Sequence, residues 1–98
     1  MIVFGNHMRL ETDMGYIDRI DRHANLVNRM ADTVGADMGA ALLEGRVTAE
    51  DLRGAVLRCT RCAQVEKCVG WLGRNEAAGA DATPEYCRNR QLMARVTA

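Results

Sequence analysis

The clearest pattern in the chain begins at Asp13. Ile17, Ile20, Ala24, Val27, Ala31 and Val34 recur at alternating steps of three and four, and Asp18, Arg19, Asp21, Arg22, Asn25, Asn28 and Arg29 fill the positions between them. A period near 3.6 brings such apolar positions to one face, so the spacing predicts an amphipathic helix that stops at Gly35, where a residue without Cβ can turn left-handed. Two heptads also allow a short coiled-coil seam, through which a homodimer would form, but the run is too short to prefer that over packing into the chain's own core. Residues 1–12 keep no sustained period. They are expected to form a flexible N-terminal tail ahead of one helical domain over 13–98.

Downstream, the signals are caps and stops. Asp37 is placed to cap a short helix over 38–44, and Gly45 to close it. Thr48, with Asp51 three residues on, has a capping-box pattern and opens a third helix carrying Leu52, Ala55, Val56 and Cys59 along one side. Residues 64–72 have helical composition, and Gly70 and Gly73 place an end near Asn75. The stretch RNEAAGADAT over 74–83 reads as a flexible connection. Thr83 followed by Pro84 signals a last helix, expected from Pro84 to about Val96 with Cys87 in its first turn. No strand alternation and no internal repeat is visible. The expected fold is an all-α, single-domain bundle of about five helices, closed by a four-cysteine site.

Composition changes this picture little. Apolar residues make up 48% and charged residues 27% of 98 positions, so one modest core is expected, and a metal or cross-link would add usefully to it. Formal net charge is zero, which gives no general attraction to nucleic acid or anionic lipid. No stretch approaches the ~20 apolar residues that span a bilayer. The first residues lack the pattern of a secretory signal, so a cytoplasmic location without membrane attachment is expected. The charge is unevenly placed, however: residues 1–57 carry six Arg against nine acids, and residues 58–98 carry seven basic groups against four acids. All four cysteines lie in that basic part.

Cys59, Cys62, Cys68 and Cys87 are spaced C-x2-C-x5-C-x18-C. In a reducing compartment such a set points to metal or redox chemistry before structural disulfides. The two-residue gap lets neighbouring thiolates meet one centre, the five-residue gap brings the chain round for a third, and Cys87 closes the site. At a helix start, Cys87 would also be favoured as a thiolate. A four-thiolate site around Zn(II) or an oxidised four-iron cluster carries a charge of about −2, which nearby Arg58, Arg61, Lys67 and Arg88 would offset. Zinc sites of four cysteines usually come as two short-spaced pairs, and only one pair exists here. His7 lies in the expected tail and His23 on a helix flank where a surface position is expected, so neither is counted as a ligand. Trp71 and Tyr86 are expected to shield the site or cover the core.

The triplet CTRCAQVEKC followed by Val69, Gly70 and Trp71 resembles part of the four-iron cluster loop of endonuclease III-like glycosylases and of the small WhiB-type regulators. Those families place the fourth ligand upstream, whereas here it is Cys87 downstream, so neither activity carries over. Over residues 35–96 the blocks DLRGAVLRCTRC, KCVGWL and PEYCRN make the chain resemble a little-characterised group of small alphaproteobacterial proteins of unknown function. That resemblance implies that the four cysteines act as one unit, and the cluster-loop resemblance implies a 4Fe-4S centre ahead of a two-iron one.

No phosphate loop, paired-histidine zinc helix or nucleophile elbow is present, so enzymatic activity is not expected. The hairpin before Cys59 is similar to half of a helix-turn-helix, but its second helix has only Arg53 and Arg58 as basic groups, so nucleic-acid binding is not expected either. The leading expectation is an iron-sulfur protein serving as a redox or gas-responsive accessory factor, or as a small electron carrier, for a protein partner. A zinc-stapled interaction module is the alternative, followed by a thiol-disulfide switch at Cys59 and Cys62.

Overall fold

In a computed structural model the chain is described over residues 7–98, with side chains from residue 15 onward. Five helices follow in order: α1 (His7–Val34), α2 (Met38–Leu43), α3 (Ala49–Thr60), α4 (Val65–Asn75) and α5 (Arg90–Thr97). No strand occurs among the described residues, so the all-α expectation is borne out. Helix α1 starts at His7, ahead of the period that begins at Asp13. Residues 1–6 of the expected tail lie outside the described residues, as does the His7 side chain.

The stops and caps act as their residue types dictate. Gly35 has φ 77°, its N–H donates to the Asp32 carbonyl, and the Ala36 N–H donates to the Ala31 carbonyl at 2.8 Å. These two bonds satisfy the last carbonyls of α1 and reverse the chain. Gly45 repeats the device after α2, with φ 75° and an Arg46 N–H to Ala41 carbonyl bond of 2.9 Å. Asp37 accepts from the Ala40 N–H, while Thr48 and Asp51 exchange bonds of 3.1 and 3.0 Å in a complete capping box at the start of α3. Accepting the Thr48 N–H holds the exposed Asp51 carboxyl below its ordinary value.

The core gathers Leu26, Val27, Met30, Ala31 and Val34 from α1, Ala41 from α2, Ala55 from α3, Leu72 from α4, and Leu92, Met93 and Val96 from α5. Helices α3, α4 and α5 each pack on α1. Among the described side chains of α1, from residue 15 onward, the first buried one is His23, and Ile17, expected to face the core, is 52% exposed. The apolar period runs on from Ile17, but among the described side chains its packing partners bury it only from His23 onward.

The connection after α4 is tied down. Arg29 on α1 forks onto Glu76 through bonds of 2.7 and 2.8 Å, and the Ala80 N–H donates to the Thr33 carbonyl at 2.8 Å. The ion pair is about a third exposed on both sides and screened by solvent, so its main consequence is the placement of Arg29. The last helix is shorter than the Thr83-Pro84 signal suggests. Residues 84–89 form two successive turns, closed by the Cys87 N–H to Pro84 carbonyl bond at 3.1 Å and the Arg90 N–H to Cys87 carbonyl bond at 3.3 Å. Helix α5 therefore begins after Cys87. No described helix is long and apolar enough to cross a membrane.

Leu72 is fully buried, and Leu72→Ala is expected to lower the unfolding free energy by about 2–5 kcal/mol in urea denaturation. The Asp51 carboxyl contributes stability that is complete above its ordinary value of 3.8 and lost as pH falls through its lower folded value. Asp51→Asn is expected to flatten the acid limb of a stability-pH profile, and an unchanged limb would show that the carboxylate is not held by Thr48.

Candidate metal centre

The four cysteines reach one region from different elements. Cys59 sits in the last turn of α3, and the Cys62 N–H donates to the Cys59 carbonyl at 3.1 Å, so the C-x2-C pair is carried around a single turn. Cys68 lies in α4, its N–H donating to the Gln64 carbonyl at 2.9 Å. Cys87 sits between the two turns ahead of α5. All four are free thiols of intermediate burial, and Cys59, Cys68 and Cys87 pack against the core with Trp71.

The ionisation of these thiols shows how close they are. Burial first, and then the charges of Cys68, Cys62 and Cys87, push the Cys59 thiol up to about 12. Cys68 is also raised, by burial and then by Cys87 and Cys62, against a lowering by Arg29. Cys87 is raised by burial and by Cys62, while hydrogen bonding to the Asn89 backbone and the Thr83 side chain pulls the other way. This corrects the thiolate expected for Cys87: without a helix start beneath it, burial dominates. Tyr86 is raised by burial and by Cys68 and Cys62, which places its phenol beside the same group, and the Lys67 ammonium sits 5.5 Å from its ring centroid.

Two polar contacts reach the sulfurs directly. The Gln64 N–H donates to Cys62 Sγ at 3.4 Å, and His23 Nδ1 lies 3.3 Å from Cys59 Sγ. His23 is 5% exposed, not the surface residue expected from its helix flank, and burial followed by Arg22 and Arg19 lowers its pKa, favouring neutral imidazole. The sequence did carry the signal: His23 stands three residues after Ile20 and four before Val27, on the apolar stripe itself. Arg29 and Arg90 are the cations that act on Cys68 and Cys87. Arg58, expected to offset the thiolates, instead donates through Nε to Asn89 Oδ1 at 2.8 Å. Asn89 was not anticipated; it is 4% exposed, and its Nδ2 donates to the Ala55 carbonyl at 3.0 Å, locking the start of α5 onto α3.

Thiols are the donors that zinc and iron-sulfur clusters select, and Cys59 feels the charge of the other three. Yet no three His, Cys, Asp or Glu side chains among the described residues gather tightly enough to hold a single metal ion. The donor chemistry fits a metal centre, and the spacing is looser than one ion requires.

The chain belongs to the family of unknown function DUF6455, which it matches over residues 14–98. No curated protein and no solved structure matches it.

A thiol raised to about 12 supplies little thiolate near neutrality. In the folded, reduced and metal-free protein, Cys59 is expected to react with iodoacetamide at least about tenfold more slowly than in the urea-unfolded chain at about pH 8. Its rate should still climb above the ordinary value of 9.0, where an unperturbed thiol levels off. Peptide-resolved mass spectrometry reads both quantities, and equal rates in the folded and unfolded chain would contradict the burial of Cys59.

Proposed function

We propose that this family member holds an iron-sulfur cluster, of the four-iron type, on Cys59, Cys62, Cys68 and Cys87, and works as a redox or gas-responsive accessory factor or small electron carrier. The observation that supports this is four free thiols of intermediate burial carried by α3, α4 and the turns before α5, three of which are raised by burial and by the charges of neighbouring thiols. Ligands on one zinc ion crowd around it at about 2.3 Å, whereas a cluster of iron and sulfide spreads its cysteines around a wider body.

Bound there, a cluster supplies a one-electron couple. The chain's own groups would shape that couple. The Gln64 N–H already points at Cys62 Sγ, and His23 with Nδ1 protonated donates to Cys59 Sγ. Each such bond to a thiolate stabilises negative charge. Arg29 and Arg90 lower the cost of charge at Cys68 and Cys87, and half-burial beside Trp71 and Tyr86 restricts water. The His23–Cys59 separation favours a second reading, a zinc site that includes His23, because two ligands of one tetrahedral zinc lie about 3.5 Å apart.

Anaerobic purification with iron, sulfide and zinc analysis separates these readings. The cluster reading expects roughly four iron and four sulfide per chain, with visible absorbance that bleaches on reduction. Reversible bleaching marks a carrier, and loss of colour under oxygen or nitric oxide marks a sensor. Cys87→Ser is expected to lose most of the iron and to lower Tm. Stoichiometric zinc without iron or colour would falsify the cluster reading, and loss of that zinc in His23→Leu would establish the second.

A further inference from the structure

A second feature lies between α3 and the start of α5, built from residues that the cysteine chemistry does not use. A cavity of about 430 Å³ is lined by Asp51, Arg58, Arg88, Gln91, Leu92 and Arg95. Three guanidiniums face one carboxylate, a net charge of +2 around one hollow. Like charges gathered this way repel, so the arrangement needs anchors or an anion.

Two of the three arginines are anchored. Arg58 is fixed through Nε by the Oδ1 of buried Asn89, whose Nδ2 is itself bonded to the Ala55 carbonyl, so the acceptor cannot swing away. Arg95 Nη2 lies 3.4 Å from Asp51 Oδ2, and that same oxygen is held at 3.0 Å by the Thr48 N–H of the capping box. Among the described residues the terminal nitrogens of Arg58 make no hydrogen bond, and Arg88 makes no hydrogen bond or ion pair at all. The terminal donors of Arg58 are therefore held at the cavity and left unspent, and Arg88 adds a guanidinium that no described group engages.

We propose that this cavity is an anion site for a phosphate group carrying two or more negative charges, as in a phosphate monoester or a diphosphate. A planar guanidinium fork matches two oxygens of a carboxylate or phosphate. One fork satisfies a singly charged carboxylate, whereas a tetrahedral dianion offers oxygens to Arg58, Arg88 and Arg95 together and balances their net charge with Asp51. The volume falls within the about 300–1,000 Å³ of small-molecule clefts, leaving room beyond the phosphate for a carrier group against Leu92 and the Gln91 amide. The proposal stands whether the cysteines hold iron, zinc or no metal.

The test is titration of the full chain as purified with inorganic pyrophosphate, followed by amide chemical shifts and calorimetry at constant ionic strength. Saturable one-to-one binding is expected, with shifts at Arg58, Arg88 and Arg95, and none with acetate. Arg88 is exposed and unpaired among the described residues, so Arg88→Gln is expected to fold normally and to weaken binding about tenfold. Arg53→Gln, on α3 and paired with Glu50 outside the cavity, is expected to bind as the parent does. The proposal is overturned by an absence of saturable binding, by equal weakening in both variants, which is the mark of a diffuse basic surface, or by tighter binding of a short single-stranded oligonucleotide at equal phosphate concentration.

Discussion

The C-terminal half of α1, from His23 to Val34, is the face on which α3, α4 and α5 all pack. Every cysteine leaves from an element docked there or from a turn beside one. A local turn sets the Cys59–Cys62 pair, while the separation of Cys68 and Cys87 from it is set by apolar packing between helices. In a protein this small the dependence runs both ways. A core drawn from about a dozen side chains has little stability in reserve, and a metal that bound only the folded thiol set would add its binding free energy to folding. The same face supplies His23 and Arg29, so α1 furnishes both the apolar support of the site and two of its polar neighbours.

The site holds opposing tendencies. Burial and mutual charge keep Cys59, Cys68 and Cys87 as neutral thiols, while Arg29, Arg90 and the Thr83 and Asn89 contacts act against that for two of them. A cation entering the group would reverse the balance, since thiolate repulsion turns into attraction to the metal and the buried surroundings strengthen it. The Arg29–Glu76 fork fixes a cation near Cys68 even though the pair itself contributes little stability.

Polar locks divide two chemistries that are adjacent in the chain. Cys59 follows Arg58 and Cys87 precedes Arg88, yet the cysteines pack toward the core while the arginines line the cavity between α3 and α5. Successive residues of a helix point about 100° apart, so the end of α3 serves both regions. Asn89 holds this division in place. Its buried amide spans the Ala55 carbonyl and the Arg58 guanidinium, and its backbone also reaches Cys87.

Much of the architecture was legible because it rests on local rules. The Schellman-type stops at Gly35 and Gly45, the Asp37 cap and the Thr48–Asp51 box are satisfied within a few residues, and the structure has them where residue type and spacing place them. Membership of one all-α domain followed from period and composition. The Pro84 signal misled because proline at a first helical position and proline at a turn share the same fixed φ, and the docking of Cys87 against the core selected the turns. His23 and Asn89 stood on apolar stripes, at helical spacing from Val27 and from Leu92, but their polarity concealed their burial. The sequence by itself determined the helices, their ends and the presence of four thiols in a basic segment. Only the tertiary structure decided which groups face those thiols, and that three arginines share one cavity, because contacts across dozens of residues depend on how helices dock and not on any pattern within them.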